Sequence, residues 1–156
     1  MKTTGVIGAG SWGTALATVL AGKGGSVKIW DIDEKHLRSM EENRENVDYL
    51  PGVPLDENIK IAYTVEEALA DADVVLFSAP AQHFRSALTS ALGHIKDDAL
   101  IINVAKGIEQ KTLLRMSQIE SDHIDMDRYV VLSGPSHAEE VGRRLPTTVA
   151  AASYNI

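Results

Sequence analysis

The chain has 156 residues, about one domain's worth, and is 44% hydrophobic and 24% charged. That is the balance of a soluble globular protein large enough to bury a core, not of a disordered chain. Its net charge of −7 argues against binding nucleic acid or an anionic membrane, since both need a basic face. The absence of cysteine excludes disulfides, thiolate metal sites and a catalytic thiol.

In chain order, Thr3 to Ile7 reads as a short strand that runs into glycines. Ala15, Leu16, Val19 and Leu20 place apolar side chains on one face of a helix over 11–21. Gly24-Gly25 stops it, and Val27 to Trp30 forms a second strand closing on Asp31. A polar helix over 34–43 follows, then the turn-rich Tyr49-Leu50-Pro51-Gly52, a short strand at 59–61 and a short helix over 65–72. Asp73 to Ser78 is almost continuously apolar, as a strand buried on both faces requires. The pattern repeats with a helix over 82–92, a strand over 100–104, a helix over 112–120, a strand over 130–133 and a last apolar strand over 148–152. Alternating strands and helices predict an α/β fold with a Rossmann-type doubly wound, mostly parallel sheet. The start of the chain lacks the apolar stretch of a signal peptide, and no run approaches the roughly twenty apolar residues of a membrane span. A cytoplasmic protein without membrane insertion is expected.

Gly8-Ala9-Gly10-Ser11-Trp12-Gly13 is G-x-G-x-x-G between a strand and a helix, and Asp31 closes the next strand. In that context the pattern predicts a dinucleotide site. Gly8 makes the tight turn, Gly10 lets backbone approach a diphosphate, and Gly13 allows close helix–strand packing. The helix beginning near Ser11 offers free N–H groups and its positive dipole end to the phosphates. Asp31 is placed to accept from ribose hydroxyls; a turn acid or helix cap is the alternative. Trp12 either shields the cofactor or packs. Lys106 follows a buried strand, where ligands of open α/β sheets collect. Ser136 either faces a ligand or caps the next helix with Glu139 in a capping box. The five histidines show no metal-ligand spacing and no G-x-S-x-G elbow accompanies them, so neither a metal site nor a serine hydrolase is expected.

These residues closely resemble the N-terminal domain of bacterial NAD(P)-dependent glycerol-3-phosphate dehydrogenase. The resemblance runs through Val6 to Ala17, Tyr49-Leu50-Pro51-Gly52, Lys106-Gly107-Ile108-Glu109, Leu132 to Glu140 and Pro146-Thr147-Thr148-Val149. It implies a role in interconverting sn-glycerol 3-phosphate and dihydroxyacetone phosphate for glycerophospholipid synthesis, with NAD or NADP as cofactor. It further implies cofactor contacts at Ser11, Trp12, Lys106 and Ala138, and substrate contacts at Lys106, Gly134 and Ser136. Two positions depart from the family pattern. Ala81 stands where a serine is common, and Asp31-Ile32-Asp33 lacks the usual Arg or His, which points to NAD over NADP. The family also carries a helical C-terminal domain that supplies the acid/base lysine. On this reading residues 1–156 are the cofactor-binding half, inactive alone, with a homodimer expected through the face the second domain would cover. A non-catalytic nucleotide module and the cofactor domain of another two-domain hydroxy-acid dehydrogenase are the alternatives.

Overall fold

In the computed structural model residues 2–155 are described, so Met1 and Ile156, the end residues of the expected domain, lie outside the described residues. Among the described residues seven strands form one sheet: β1 (Thr3–Ile7), β2 (Ser26–Trp30), β3 (Ile59–Ile61), β4 (Val74–Phe77), β5 (Leu100–Asn103), β6 (Tyr129–Ser133) and β7 (Ala150–Ser153). Their spatial order is β3-β2-β1-β4-β5-β6-β7. All neighbours are parallel up to β6, and β7 returns antiparallel, pairing Val131 with Ala152. The chain is thus doubly wound, as its alternating pattern requires, and strand order reverses between β1 and β4.

The helices are α1 (Ser11–Gly22), α2 (Glu34–Asn43), α3 (Val65–Leu69), α4 (Phe84–Ala91), α5 (Met116–Glu120) and α6 (Ala138–Gly142). They bury two apolar layers, one on each side of the sheet. Alternation along the strands sorts the side chains: Val6 and Leu76 join Ala17, Leu37 and Met40 on one side. Ile7, Val75 and Phe77 join Leu69, Phe84 and Ile119 on the other. A fully buried Leu, Ile or Phe contributes roughly 1.5–3 kcal/mol relative to exposure, so these layers hold the sheet. All four β4 residues are buried, as its unbroken apolar run predicts.

Three helices are shorter than the sequence pattern suggests. The helix expected over 65–72 stops at Leu69, because Asp71 turns into the left-handed region (φ 60°), a conformation Asp tolerates better than most residues. The helix expected over 82–92 begins at Phe84, after a turn in which His83 N–H donates to Pro80 O, and tightens into a 3-10 turn over Leu92–His94. The helix expected over 112–120 begins only at Met116. Leu113 adopts φ 59°, Ile108 and Arg115 form an isolated antiparallel bridge, and the Thr112 hydroxyl bonds to Glu109. Local side-chain bonding of this kind competes with helix formation. The last strand is shifted from the expected 148–152 to Ala150–Ser153, and all four of its residues are exposed.

Candidate functional site

A cleft of about 780 Å³ opens at the carboxyl ends of β1 and β4, where the strand order reverses. One wall is the glycine loop with Asp31 and Ile32, and the facing wall is Ala105-Lys106 with Ser136 to Glu139. Its floor is Ser78 to Ala81.

The glycine loop is shaped by two tight approaches. Gly8 has φ 108°, and a Cβ there would come within 2.9 Å of Ala79 N and Ser78 C. A Cβ on Gly13 would overlap the Gly8 carbonyl oxygen, so α1 lies against the turn only because both positions are glycine. A Cβ on Gly10 would meet nothing within 4 Å, since that residue faces open cleft. The N-cap of α1 is Gly10, which has no side chain to satisfy the helix's first N–H groups. Among the described residues the N–H groups of Gly10, Ser11 and Trp12 therefore have no acceptor and are left for an anion. Asp31 braces this loop: Oδ2 accepts from Ala9 N–H at 2.8 Å and Oδ1 from Asp33 N–H at 3.1 Å. Each oxygen keeps a lone pair for a further donor.

Across the cleft, Lys106 Nζ donates to Gly134 O at 3.0 Å, tying the loop after β5 to the turn after β6. The Lys106 loop is itself braced. Arg85 on α4 grips Glu109 in a bidentate pair, with both N···O distances at 2.8 Å, and Thr112 donates to the same carboxylate. Those two partners, Arg85 first, hold the Glu109 carboxyl down at about 2. Beneath the loop, Asn103 accepts from Ala105 N–H (2.8 Å) and donates to Glu120 Oε2 (2.7 Å). The other oxygen of Glu120 and the Tyr129 hydroxyl beside it are buried without a well-formed partner. Burial pushes the Glu120 carboxyl up to about 7 and raises the Tyr129 phenol as well.

Ser136 does not cap α6: its N-cap is His137, and the Ser136 hydroxyl is buried with no partner among the described residues. Of the two readings of Ser136 the capping box fails, because the chain stays extended through His137 and the helix begins one residue too late for Ser136 to serve. Trp12 Nε1 is likewise buried and unpaired. Two orphaned polar atoms on the wall of one cleft suit a ligand that brings hydrogen-bonding groups of its own.

The structure thus brings Gly8, Gly10, Ser11, Trp12, Asp31, Lys106, Ser136 and Ala138 to one cleft. Gly13 packs behind the loop and Gly134 holds the Lys106 amine. Sequence reasoning missed His36, Asn46 and Glu120. Asn46 is fully buried and His36 nearly so, and Glu120 is fully buried. Among the described residues no three His, Asp or Glu side chains converge as a metal site, and no helix is long and apolar enough to cross a membrane.

A doubly wound sheet with a glycine loop at its switch point and an acidic residue ending the second strand defines a dinucleotide-binding domain. The residues fit the group: a cradle that side chains would fill, free N–H groups at a helix start, and an acid with lone pairs to spare. Residues 3–156 match the family model described as NAD-dependent glycerol-3-phosphate dehydrogenase N-terminus. The chain is 46% identical over 154 residues to the glycerol-3-phosphate dehydrogenase [NAD(P)+] of Pelotomaculum thermopropionicum, covering 97% of this chain and 44% of that protein. It is also 46% identical over 159 residues to the enzyme of that name from Bacillus subtilis, covering 100% of this chain and 46% of that protein. Among solved structures, glycerol-3-phosphate dehydrogenase from Coxiella burnetii superposes with a TM-score of 0.90 at 32% identity, over 99% of this chain and 47% of that one. The chain belongs to the NAD-dependent glycerol-3-phosphate dehydrogenase N-terminal family. It spans about half the length of the curated relatives it matches.

Proposed function

We propose that this chain is the cofactor-binding part of an enzyme interconverting sn-glycerol 3-phosphate and dihydroxyacetone phosphate, using NAD in preference to NADP. The observation that carries it is the Lys106–Gly134 bridge beside the unpaired Ser136 hydroxyl, facing a glycine loop whose first helical N–H groups are free. That pairing gives one end of the cleft the donors a dinucleotide's diphosphate needs. It gives the other a cation and a hydroxyl for a small phosphorylated substrate. When bound, the nicotinamide ring supplies or accepts the hydride.

The chain's own residues do the rest. The loop N–H groups hold the diphosphate, Asp31 accepts from a ribose hydroxyl while steadying the loop, and Trp12 and Ala138 wall off the reacting end. Lys106 binds the substrate and polarises its carbonyl, and Ser136 orients it. The substrate oxygen must gain or lose a proton as hydride moves at carbon, and the resemblance assigns that transfer to a lysine outside these 156 residues. NAD is favoured because Asp31 stands in the cleft where a 2′-phosphate would need a cation, and neither Ile32 nor Asp33 supplies one. Arg38, the nearby guanidinium, is already paired with Glu34 at 3.0 Å. A cytoplasmic location goes with this reading. So does a homodimer formed through the face carrying exposed Leu145 and Val149; light scattering that shows only monomer would remove the dimer.

The test is a fusion of this chain to the C-terminal half of the Bacillus subtilis relative, assayed by absorbance with NADH. Oxidation of NADH that depends on dihydroxyacetone phosphate and disappears in Lys106→Ala is expected, while the chain alone stays at background. A fusion that binds NADH but turns over 2-oxo acids instead would refute the substrate assignment.

A further inference from the structure

Four groups converge on a single residue of the glycine loop, three of them on its carbonyl. Ala9 C=O accepts from Asn46 Nδ2 at 2.8 Å, from His36 Nε2 at 3.1 Å and from Thr14 Oγ1 at 3.3 Å. On the opposite side of the same residue, Ala9 N–H donates to Asp31. Asn46 is 0% exposed and His36 6%, so both polar side chains have been taken out of water and used on this loop. Their orientation is fixed by what surrounds them. Asn46 Oδ1 accepts from Tyr49 N–H at 3.0 Å, which leaves Nδ2 facing Ala9 O and Thr14 Oγ1. A carbonyl oxygen can only accept, so the proton on His36 Nε2 is set by its partner. On its other side the His36 ring packs against the Tyr49 ring, edge to face at 4.9 Å, with Asp48 Oδ2 3.4 Å from Nδ1.

The consequence follows from peptide geometry. Every peptide bond among the described residues is trans, and in a planar trans unit C=O and N–H point in opposite directions. Holding Ala9 C=O inward therefore aims Gly10 N–H outward, into the cleft that Gly10 lines. The restraint matters because a peptide unit that precedes glycine meets little backbone resistance to turning over. Gly10 has no side chain to resist, and nothing stands within 4 Å of the space one would take. A flipped peptide would present an oxygen, not a donor, to any phosphate in the cleft.

We propose that Asn46 and His36 are positioning residues that hold the Ala9–Gly10 peptide in the one orientation that aims Gly10 N–H at a bound diphosphate. The segment around Tyr49-Leu50-Pro51-Gly52 is, on this account, the buttress of the phosphate loop. The inference rests on the dinucleotide reading of the cleft.

The test uses four variants in the full 156-residue chain and compares ADP and NADH with adenosine, which has no phosphate, by calorimetry and by NMR titration. Asn46→Asp keeps an acceptor for Tyr49 N–H but replaces the donor facing Ala9 O by an oxygen, and Asn46→Ala removes both. His36→Met fills the ring's space without a donor, and His36→Gln restores a donor at the Nε2 position. Asn46→Asp and His36→Met should weaken ADP and NADH by about tenfold to a hundredfold while adenosine is unchanged. His36→Gln should stay within about threefold of the parent. Thermal melts identify any variant that fails to fold, and the His36 pair then decides on its own. Unchanged ADP affinity in folded Asn46→Asp and His36→Met overturns the inference. So does equal weakening of ADP and adenosine, or a Gln variant as poor as Met. A parent chain that binds neither ADP nor NADH defeats the dinucleotide reading, and this inference with it.

Discussion

Replacing Glu120 by Gln should make the protein more stable at neutral pH and remove one component of its pH dependence. Glu120 is fully buried, one oxygen accepts from Asn103, and the other has no well-formed partner. Burial disfavours the charged form, so the carboxyl keeps its proton up to about pH 7, whereas in the unfolded chain it ionises near 4.5. Below about 4.5 both states are protonated and the contribution is fully present. As pH rises toward about 7 the unfolded state sheds a proton that the native state retains, so stability falls, and above about 7 the contribution is gone. The gap between 4.5 and about 7, at about 1.36 kcal/mol for each pH unit, amounts to about 3 kcal/mol. Gln keeps an oxygen for Asn103 Nδ2 and has no charge to bury. Urea unfolding followed by circular dichroism from about pH 4.5 to about pH 8 should show the two proteins nearly equal at the acid end. They should diverge steadily, with Glu120→Gln ahead by up to about 3 kcal/mol at the alkaline end. Parallel stability curves across that window would refute the assignment of a buried, late-ionising carboxyl at this position.

Like-charge repulsion of a 2′-phosphate by Asp31 at roughly 5 Å is worth about 1–3 kcal/mol, so NADH should bind at least about tenfold tighter than NADPH; equal constants by calorimetry at fixed salt would contradict it. Gly13→Ala sets a methyl against the Gly8 carbonyl, which should cost about 3 kcal/mol of stability and abolish NADH binding, both measurable on one preparation. Arg85→Ala removes both hydrogen bonds to Glu109, so amides of residues 106–112 should exchange with deuterium severalfold faster while those of β1 and β4 do not change. The same pair carries an acid-side dependence. Glu109 is held down at about 2, so its contribution is present above the ordinary carboxylate range and is lost as pH falls toward that value, a loss that shrinks in the Arg85→Ala variant, where only Thr112 and Lys111 still favour the carboxylate.

Much of this architecture is visible in the sequence because its causes are local. The continuous apolar run of β4, the helical spacing of Ala15 to Leu20 and the glycines at 8, 10 and 13 each report their own structure through neighbours in the chain. Lys106 and Ser136 reach the cleft for a related reason, since each lies three residues beyond a strand of the parallel sheet and so emerges at the same end of it. What escapes is set by partners far away. Asn46 reads as one more polar residue in a turn-rich stretch until the fold places its amide 2.8 Å from Ala9 O, thirty-seven positions earlier. Glu120 looks like the polar end of a helix, and only β5 and β6 together show that it is buried. The late start of α5 has the same origin. Thr112 and Leu113 are compatible with a helix by spacing, and the competing bond to Glu109 depends on Arg85 holding that carboxylate in place.

The two tryptophans give the cleft one further property. Trp12 and Trp30 are the only indoles in the sequence, and both line the same cavity. A dihydronicotinamide ring absorbs where indole emits, and the oxidised ring does not. Excitation energy would therefore pass from protein to reduced dinucleotide over a few ångströms, and the protein's own emission would dim as the cleft fills. The chain carries its own optical gauge of occupancy and redox state, with no label added and no further tryptophan in the sequence to dilute the indole signal.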